Sequence, residues 1–368
     1  MTASLESALS PVSPVPLQIH HQRDRRQFQG IPGVEITPSG KLWATWYAGG
    51  KDEGPENYVV LASSTDGGTT WKEEIVIDPP DQVRAFDPTL WIDPLGRLWL
   101  FWAQCHSPST PVTAGVWAMV ADDPDAPVWS APFRLTNGIM MNKPTVLSNG
   151  EWALPTAVWN NRDSEGKSIT PELLPEMFSN LTISADQGKT FFRRGGADVP
   201  FRAFDEHMIV ERNDGQLWML VRTKYGVAQS FSKDGGTTWS PGWGSPITGP
   251  NSRFFIRRLQ SGRLLLVNHV VDFENPTERK DLTAWVSDDE GQSWQGGLTL
   301  DARSTVSYPD GTQDASGNIW IIYDHARYKG GDILLAVFRE EDVLAGTCVS
   351  SEARLRIPVS SYPFPASA

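Results

Sequence analysis

The sequence predicts an all-β chain folded as a single six-bladed β-propeller. Three observations carry this: a glycine turn that recurs six times, a second motif that recurs on the same period, and a composition suited to many short strands. Of the 368 residues, 39% are hydrophobic and 21% charged, with 16 Trp, 15 Phe, 32 Gly and 28 Pro. An aromatic-rich core with abundant turn formers and no sustained helical period favours short strands joined by tight turns. The segment 171–178 (PELLPEMF) is the only short helix predicted.

The glycine turn pairs a turn residue and Gly with a spacer and an apolar strand start. It occurs at Gly40, Gly96, Gly150, Gly215, Gly262 and Gly317, followed by Leu42-Trp43, Leu98-Trp99, Trp152, Leu217-Trp218, Leu264 and Ile319-Trp320. Gly supplies positive φ in the turn, and the residues after it suit a half-buried sheet. Six copies at intervals of 47 to 65 residues predict six blades. The second motif, Ser-x-Asp-x-Gly-x-Thr-Trp, is met at 64–71 and 232–239, with one substitution at 184–191 and at 287–294, and in a worn copy at 122–129. In such an Asp box the Asp accepts backbone N–H bonds, Gly permits the bend and the aromatic plugs between sheets. Its meaning is structural. The propeller is expected over 15–362, with a flexible segment at 1–14 and a tail at 363–368. Residues 15–22 and 349–362 are expected to complete one blade between them.

A net charge of −12 argues against a nucleic-acid partner, which needs concentrated Lys and Arg. No run of about 18 apolar residues predicts a membrane partner. The N-terminus lacks a charged and then apolar leader pattern, so the chain as written is expected in the cytoplasm, or secreted or periplasmic if a leader has been trimmed. Cys105 and Cys348 are expected as two buried small hydrophobes, with a disulfide left open. No His/Cys/Asp cluster has ligand spacing, so neither metal nor cofactor is expected, with a surface or channel calcium left open, and the sequence sets no oligomeric state.

Asp boxes within a six-bladed propeller resemble the sialidase (exo-neuraminidase) superfamily, over about residues 28–345. The opening Phe-Arg-Ile-Pro strand of that family is similar to Phe28-Gln29-Gly30-Ile31-Pro32, with Gly30 at the arginine position. That arginine belongs to a triad clamping the sialic acid carboxylate; Arg25 or Arg26 are the candidates to reach in instead. The resemblance implies Asp52 as acid/base on the loop before the first Asp box, with Glu53 and Glu56 as competitors. It implies Glu206 and Arg222 from the run Glu206–Glu211, Asp214-Gly215 and Leu220-Val221-Arg222. It further implies Arg279 before Leu282–Trp285, and a tyrosine nucleophile at Tyr308 in Ser307-Tyr308-Pro309-Asp310-Gly311.

In those roles Glu206 would take the Tyr308 proton, Asp52 would protonate the leaving-group oxygen and later activate water, and Arg222 and Arg279 would grip an anionic group. Asp87 and Asn142, like Glu206, stand just ahead of blade strands and are expected at the same mouth, with Arg257 and His207 as further substrate-binding candidates. Arg253, Arg258, His106, Asp324, His325, Trp91, Trp102 and Trp159 are secondary candidates. The function expected is removal of a terminal, acidic sugar from a glycan with retention; a two-arginine site would also suit a uronic acid or a neutral sugar. The alternatives are a polysaccharide lyase using Tyr308, His207 and Arg222, and a non-catalytic glycan-binding propeller.

Overall fold

The computed structural model describes residues 5–106, 113–159, 170–272 and 274–363. The first four residues of segment 1–14 and the tail from 364 onward lie outside the described residues. Six four-stranded antiparallel sheets follow one another along the chain, over 28–77, 83–137, 145–197, 208–244, 255–301 and 306–361. These are the six blades of the propeller. Within each blade the strands lie in sequence order from the axis outward, so every blade comes from one contiguous stretch.

The repeated glycine turn joins the inner strand of each blade to the second. In all six copies the glycine φ lies between 80° and 92°, where an L side chain is strained. The same bonds recur: Gly40 N donates to Thr37 O, Gly96 N to Asp93 O and Gly317 N to Asp314 O. The four Asp boxes join third and fourth strands in blades 1, 3, 4 and 5. In the first, Asp66 Oδ1 accepts from Ser64 Oγ (2.8 Å) and Thr70 N (2.9 Å), while Trp71 Nε1 donates to Gly68 O at 3.0 Å. Asp234 and Trp239 repeat the arrangement. These donors hold the carboxyls of Asp66, Asp186, Asp234 and Asp289 down at about 2.

Ring closure differs from the expectation. The fourth strand of blade 6 is Arg354–Ser361, so that blade is complete without the N-terminal segment. Residues 15–25 instead run outside blade 1, with a Val15–Val76 bridge and two 3₁₀ turns, Ile19–His21 and Arg23–Arg25. That bridge sits on the outer edge of blade 1's fourth strand, Lys72–Ile77, and adds no strand to blade 6. The seam between blades 1 and 6 is closed by side chains: Asp324 Oδ2 accepts from Ile31 N (2.9 Å), Asp310 Oδ2 from Val34 N (3.0 Å), and Gln29 Nε2 donates to Gly331 O (2.8 Å). A short helix, Leu5–Leu9, rests on blade 2, where Gln104 Nε2 donates to Ala8 O and Ser10 O. Segment 171–176 forms the expected helix in 3₁₀ geometry. Cys105 is buried as expected, but Cys348 is exposed, and no disulfide joins them.

A charged network occupies the axis. Lys143 Nζ donates to Val34 O (2.5 Å) and Leu90 O (2.6 Å) and lies 3.3 Å from both Glu35 and Asp310. Arg253 bonds Asn142 Oδ1 (2.7 Å) and Met141 O (3.0 Å) and faces Asp310 at 3.4 Å. These groups come from five blades, or from the segments that enter them, and all are buried. Buried charges of this kind are tolerated only when paired. Removing one partner strands the others, so Lys143→Ala is expected to destabilise the protein by about 3–5 kcal/mol in urea unfolding. An exposed control such as Lys72→Ala should change stability by less than about 0.5 kcal/mol.

Candidate active site

The inner strands of blades 1, 2 and 6 share one irregularity. Each shifts register around a residue followed by proline: Ile31-Pro32, Asp87-Pro88 and Tyr308-Pro309. Ile31, Asp87 and Tyr308 have φ of 57°, 48° and 57°. Proline has no N–H to give the ladder and the bulge re-aims the side chain before it. These three side chains line one cavity of about 970 Å³.

Around it the structure gathers Asp52, Asp87, Glu206, Arg222, Arg279 and Tyr308, six of the site residues expected from sequence. Tyr308 Oη donates to Glu206 Oε1 at 3.0 Å. Arg222 Nη1 donates to that same carboxylate oxygen at 2.6 Å and to Tyr308 Oη at 3.1 Å. Asn251 Oδ1 fixes Arg222 Nε at 2.7 Å. The second oxygen of Glu206 is buried and has no partner among the described residues. Burial, and then Glu206, push the Tyr308 phenol above its ordinary range, against Arg222, Arg327 and Arg279. The resting phenol is therefore neutral, with a base in contact. Burial opposes the charge on Arg222, but Glu206 and Tyr308 outweigh it and hold the guanidinium above its ordinary range.

The arginine missing at position 30 is replaced in space. A Cβ on Gly30 would lie 2.9 Å from Arg327 Cδ and 2.9 Å from Asp324 Oδ2. Arg327 thus fills the room an arginine at position 30 would need, 4.5 Å over the Tyr308 ring, with Asp324 at 3.5 Å behind it. Arg279 stands 5.5 Å over the same ring, its Nη2 donating to Asn251 O at 2.9 Å. The expected two-arginine site is a three-arginine site. Arg26, offered as the replacement, is buried against Glu73 at 2.5 Å instead, and Arg25 is exposed.

Asp52 lies exposed on its loop at the cavity wall; Glu53 lines the same wall and accepts from Tyr328 Oη at 2.8 Å. Asp87 is buried beside Arg84, whose guanidinium lies 3.7 Å over Phe86. Burial, with help from Glu53 and Glu206 and against Arg84, pushes the Asp87 carboxyl up to about 8. Asp205, also buried, is raised to about 6 although Arg202 sits 2.8 Å away.

Three expected substrate-binding residues do not reach the cavity. Asn142 is spent on His207 O (2.8 Å) and Arg253. His207 is buried with its ring nitrogens against Asp205 O and Asn180 O, because it alternates to the opposite side of the chain from Glu206. Arg257 lines a separate cavity of about 370 Å³ with Glu35 and Thr312 and donates to Pro144 O at 3.3 Å. Trp91 and Trp102 are core residues, whereas Trp159 lines the same cavity as Tyr308. Sequence reasoning missed Arg327, Arg84, Phe201 and Phe204. The one available signal for Arg327 was Gly30 itself, a lost cation that some other residue had to supply.

A further group escaped the sequence: His20, His21 and Asp78 come within ligand distance of one another. Gln18 N donates to His21 Nδ1 at 2.9 Å, which leaves the ring proton on Nε2, facing Asp78 at 3.1 Å. That tautomer makes a hydrogen bond where a metal would need a lone pair.

Residues 40–321 match the family described as BNR repeat-like domain. Among solved structures the chain is similar to a protein of unknown function from Dyadobacter fermentans DSM 18053, at 17% identity over 86% of this chain and 95% of that one, TM-score 0.64. It is similar to the Hadza microbial sialidase Hz136, at 19% identity over 84% of this chain and 66% of that one, TM-score 0.63. It is also similar to the intramolecular trans-sialidase from Ruminococcus gnavus, solved with oseltamivir carboxylate, at 14% identity over 86% and 96%, TM-score 0.64. At those identities the likeness shows the fold alone. No curated protein matches the sequence.

The state of Asp87 gives a stability test. Folding lifts its pKa from 3.8 to about 8, so the native state keeps a proton that the unfolded chain has lost. Stability therefore falls as pH climbs through that window. Asp87→Asn is expected to raise Tm at pH 7.5 by about 3–6 °C and to leave Tm at pH 4 near that of the parent, in calorimetric scans.

Proposed function

Because this chain belongs to the BNR repeat-like domain family, we propose that its cavity performs glycan chemistry, as a sialidase-like exo-glycoside hydrolase that removes a terminal acidic sugar with retention. The observation that carries the reading is the contact of Tyr308 Oη with Glu206 Oε1 at 3.0 Å, bridged by Arg222 and facing two further guanidiniums. Neither Arg279 nor Arg327 has a carboxylate closer than 3.5 Å among the described ion pairs. Cations left this open in a chain of net charge −12 suit an anionic ligand.

In the first step Asp52 gives its proton to the glycosidic oxygen and the bond from the anomeric carbon to that oxygen breaks. The Tyr308 oxygen bonds to the anomeric carbon while Glu206 accepts the phenolic proton. A neutral phenol paired with a base suits a sugar whose own carboxylate would repel an anionic nucleophile. In the second step Asp52 takes a proton from water, the water oxygen attacks the anomeric carbon, and Glu206 returns its proton to the departing tyrosine. Two inversions give net retention. Arg222, Arg279 and Arg327 hold the sugar carboxylate, and Asp87, neutral at pH 7, donates to a sugar hydroxyl beside Arg84. Of the two bases offered for a lyase, the buried His207 does not reach the cavity, whereas Tyr308 does.

The test is a panel of 4-methylumbelliferyl glycosides, including the α-sialoside and the β-glucuronide, with oligosaccharides bearing the same terminal sugars. Tyr308→Phe should lower kcat by at least about 1000-fold. Asp52→Asn should cost about 100- to 10,000-fold on oligosaccharides and less on the aryl glycosides, whose leaving group needs little protonation. Arg327→Gln should lower kcat/KM about 10- to 150-fold, the value of one charge-assisted bond to a buried carboxylate. A panel in which no acidic glycoside is turned over would sink the proposal.

A further inference from the structure

The loop 198–206, which ends on the base Glu206, presents two phenylalanines to water. Phe201 is 71% and Phe204 56% exposed, and both line the cavity. Burial is the ordinary fate of large aromatic side chains, and an exposed cluster at a cavity rim marks a binding surface. The loop holds them there at a cost. Phe201, Phe204 and Asp205 have φ of 56°, 59° and 49°, three non-glycine residues in left-handed conformation within five positions. The conformation is pinned by Arg202 to Asp205 at 2.8 Å, by Arg202 to Met177 O, and by Trp159 Nε1 to Phe204 O at 2.9 Å.

The two rings have different surroundings. Phe204 lies over the Arg222 guanidinium at 4.9 Å and meets Trp159 edge to face at 6.0 Å, so it also shields the catalytic group. Among the described ring and cation contacts, Phe201 meets Tyr225 and none of Tyr308, Glu206 or Arg222. Its ring is backed by Tyr225, edge to face at 6.5 Å, itself 49% exposed. One face of Phe201 is thus free at the mouth of the cavity.

On the reading of the site as exo-acting, the terminal sugar occupies the arginine floor and the rest of the glycan leaves through the mouth. We infer that Phe201, braced by Tyr225, is the stacking platform for the sugar ring attached to the reacting one, and that it makes the protein selective for oligosaccharides over simple glycosides. A pyranose fits better than an alkyl chain because Asp198, Arg202 and Lys224 line the same wall. A ring with one apolar C–H face and a rim of hydroxyls satisfies both the aromatic face and those polar groups. The platform is a specificity determinant and takes no part in the chemistry.

Two measurements test it. In saturation-transfer NMR, methyl β-lactoside is expected to bind the Tyr308→Phe protein and to bind Tyr308→Phe/Phe201→Ala about fivefold more weakly, the size of one aromatic contact. In kinetics, Phe201→Ala is expected to lower kcat/KM about fivefold more for a lactose-linked acidic sugar than for its methyl glycoside, through KM, and Phe201→Trp to recover the difference. Equal lactoside binding by both proteins, or equal losses on the two glycosides, overturns the platform. So does a Phe201-dependent signal from an octyl glycoside in place of the lactoside. If the parent protein hydrolyses no glycoside, the hydrolase reading fails on its own and the NMR comparison still decides the platform.

Discussion

The structure turns on the charged network at the propeller axis. Inner strands converge there, and three backbone carbonyls meet the network instead of a ladder partner. Lys143 answers two of them, Val34 O and Leu90 O, and Arg253 answers Met141 O. Asp310 then balances both cations while taking the Val34 N–H. Taking ions out of water is costly, and only mutual pairing offsets it. The pairing fixes how the blades are rotated about the axis, and the inner-strand bulges above it inherit that rotation. Asn142, held by Arg253, donates to His207 O beside Glu206, which ties the entry of blade 4 to the network and sets Glu206 opposite Tyr308.

The cavity follows a different electrostatic rule from the axis. At the axis charges are matched within hydrogen-bonding distance. In the cavity Arg222 is matched to Glu206, while Arg279 and Arg327 are shared loosely over one tyrosine ring. Acids nearby are kept neutral or polarised by burial, as in Asp87 and Tyr308. Loosely paired cations beside acids kept neutral by burial leave the cavity electrostatically less settled than the axis.

Much of this was legible in the sequence. The glycine turns could be counted because positive φ at a hairpin corner admits few other residues, and the Asp boxes because their hydrogen bonds demand a fixed spacing. Tyr308, Glu206, Arg222 and Arg279 were legible through their places relative to those motifs. What could not be read was direction. Asn142, His207 and Arg257 occupy the same stretch of their blades as the residues that line the cavity. A step of one residue sends a strand side chain to the opposite face, and a bulge shifts the count again. Arg327 was illegible for another reason: it comes from blade 6 to fill a gap in blade 1, a substitution between segments almost 300 positions apart in sequence.

The closure of the ring has a consequence for how the molecule comes apart. Among the described residues neither end of the chain lends a strand to the other's blade, so the seam between the first and last blades carries no shared ladder. Tyr362 Oη reaches Gln27 O across it at 2.8 Å, and Ile31 and Tyr308 flank it at the cavity wall. Prying the barrel open along this line would part Ile31 from Tyr308 while all six sheets kept their backbone ladders. Loss of the pocket would therefore precede loss of β-structure, and the integrity of the whole circle could be followed from the state of a single tyrosine.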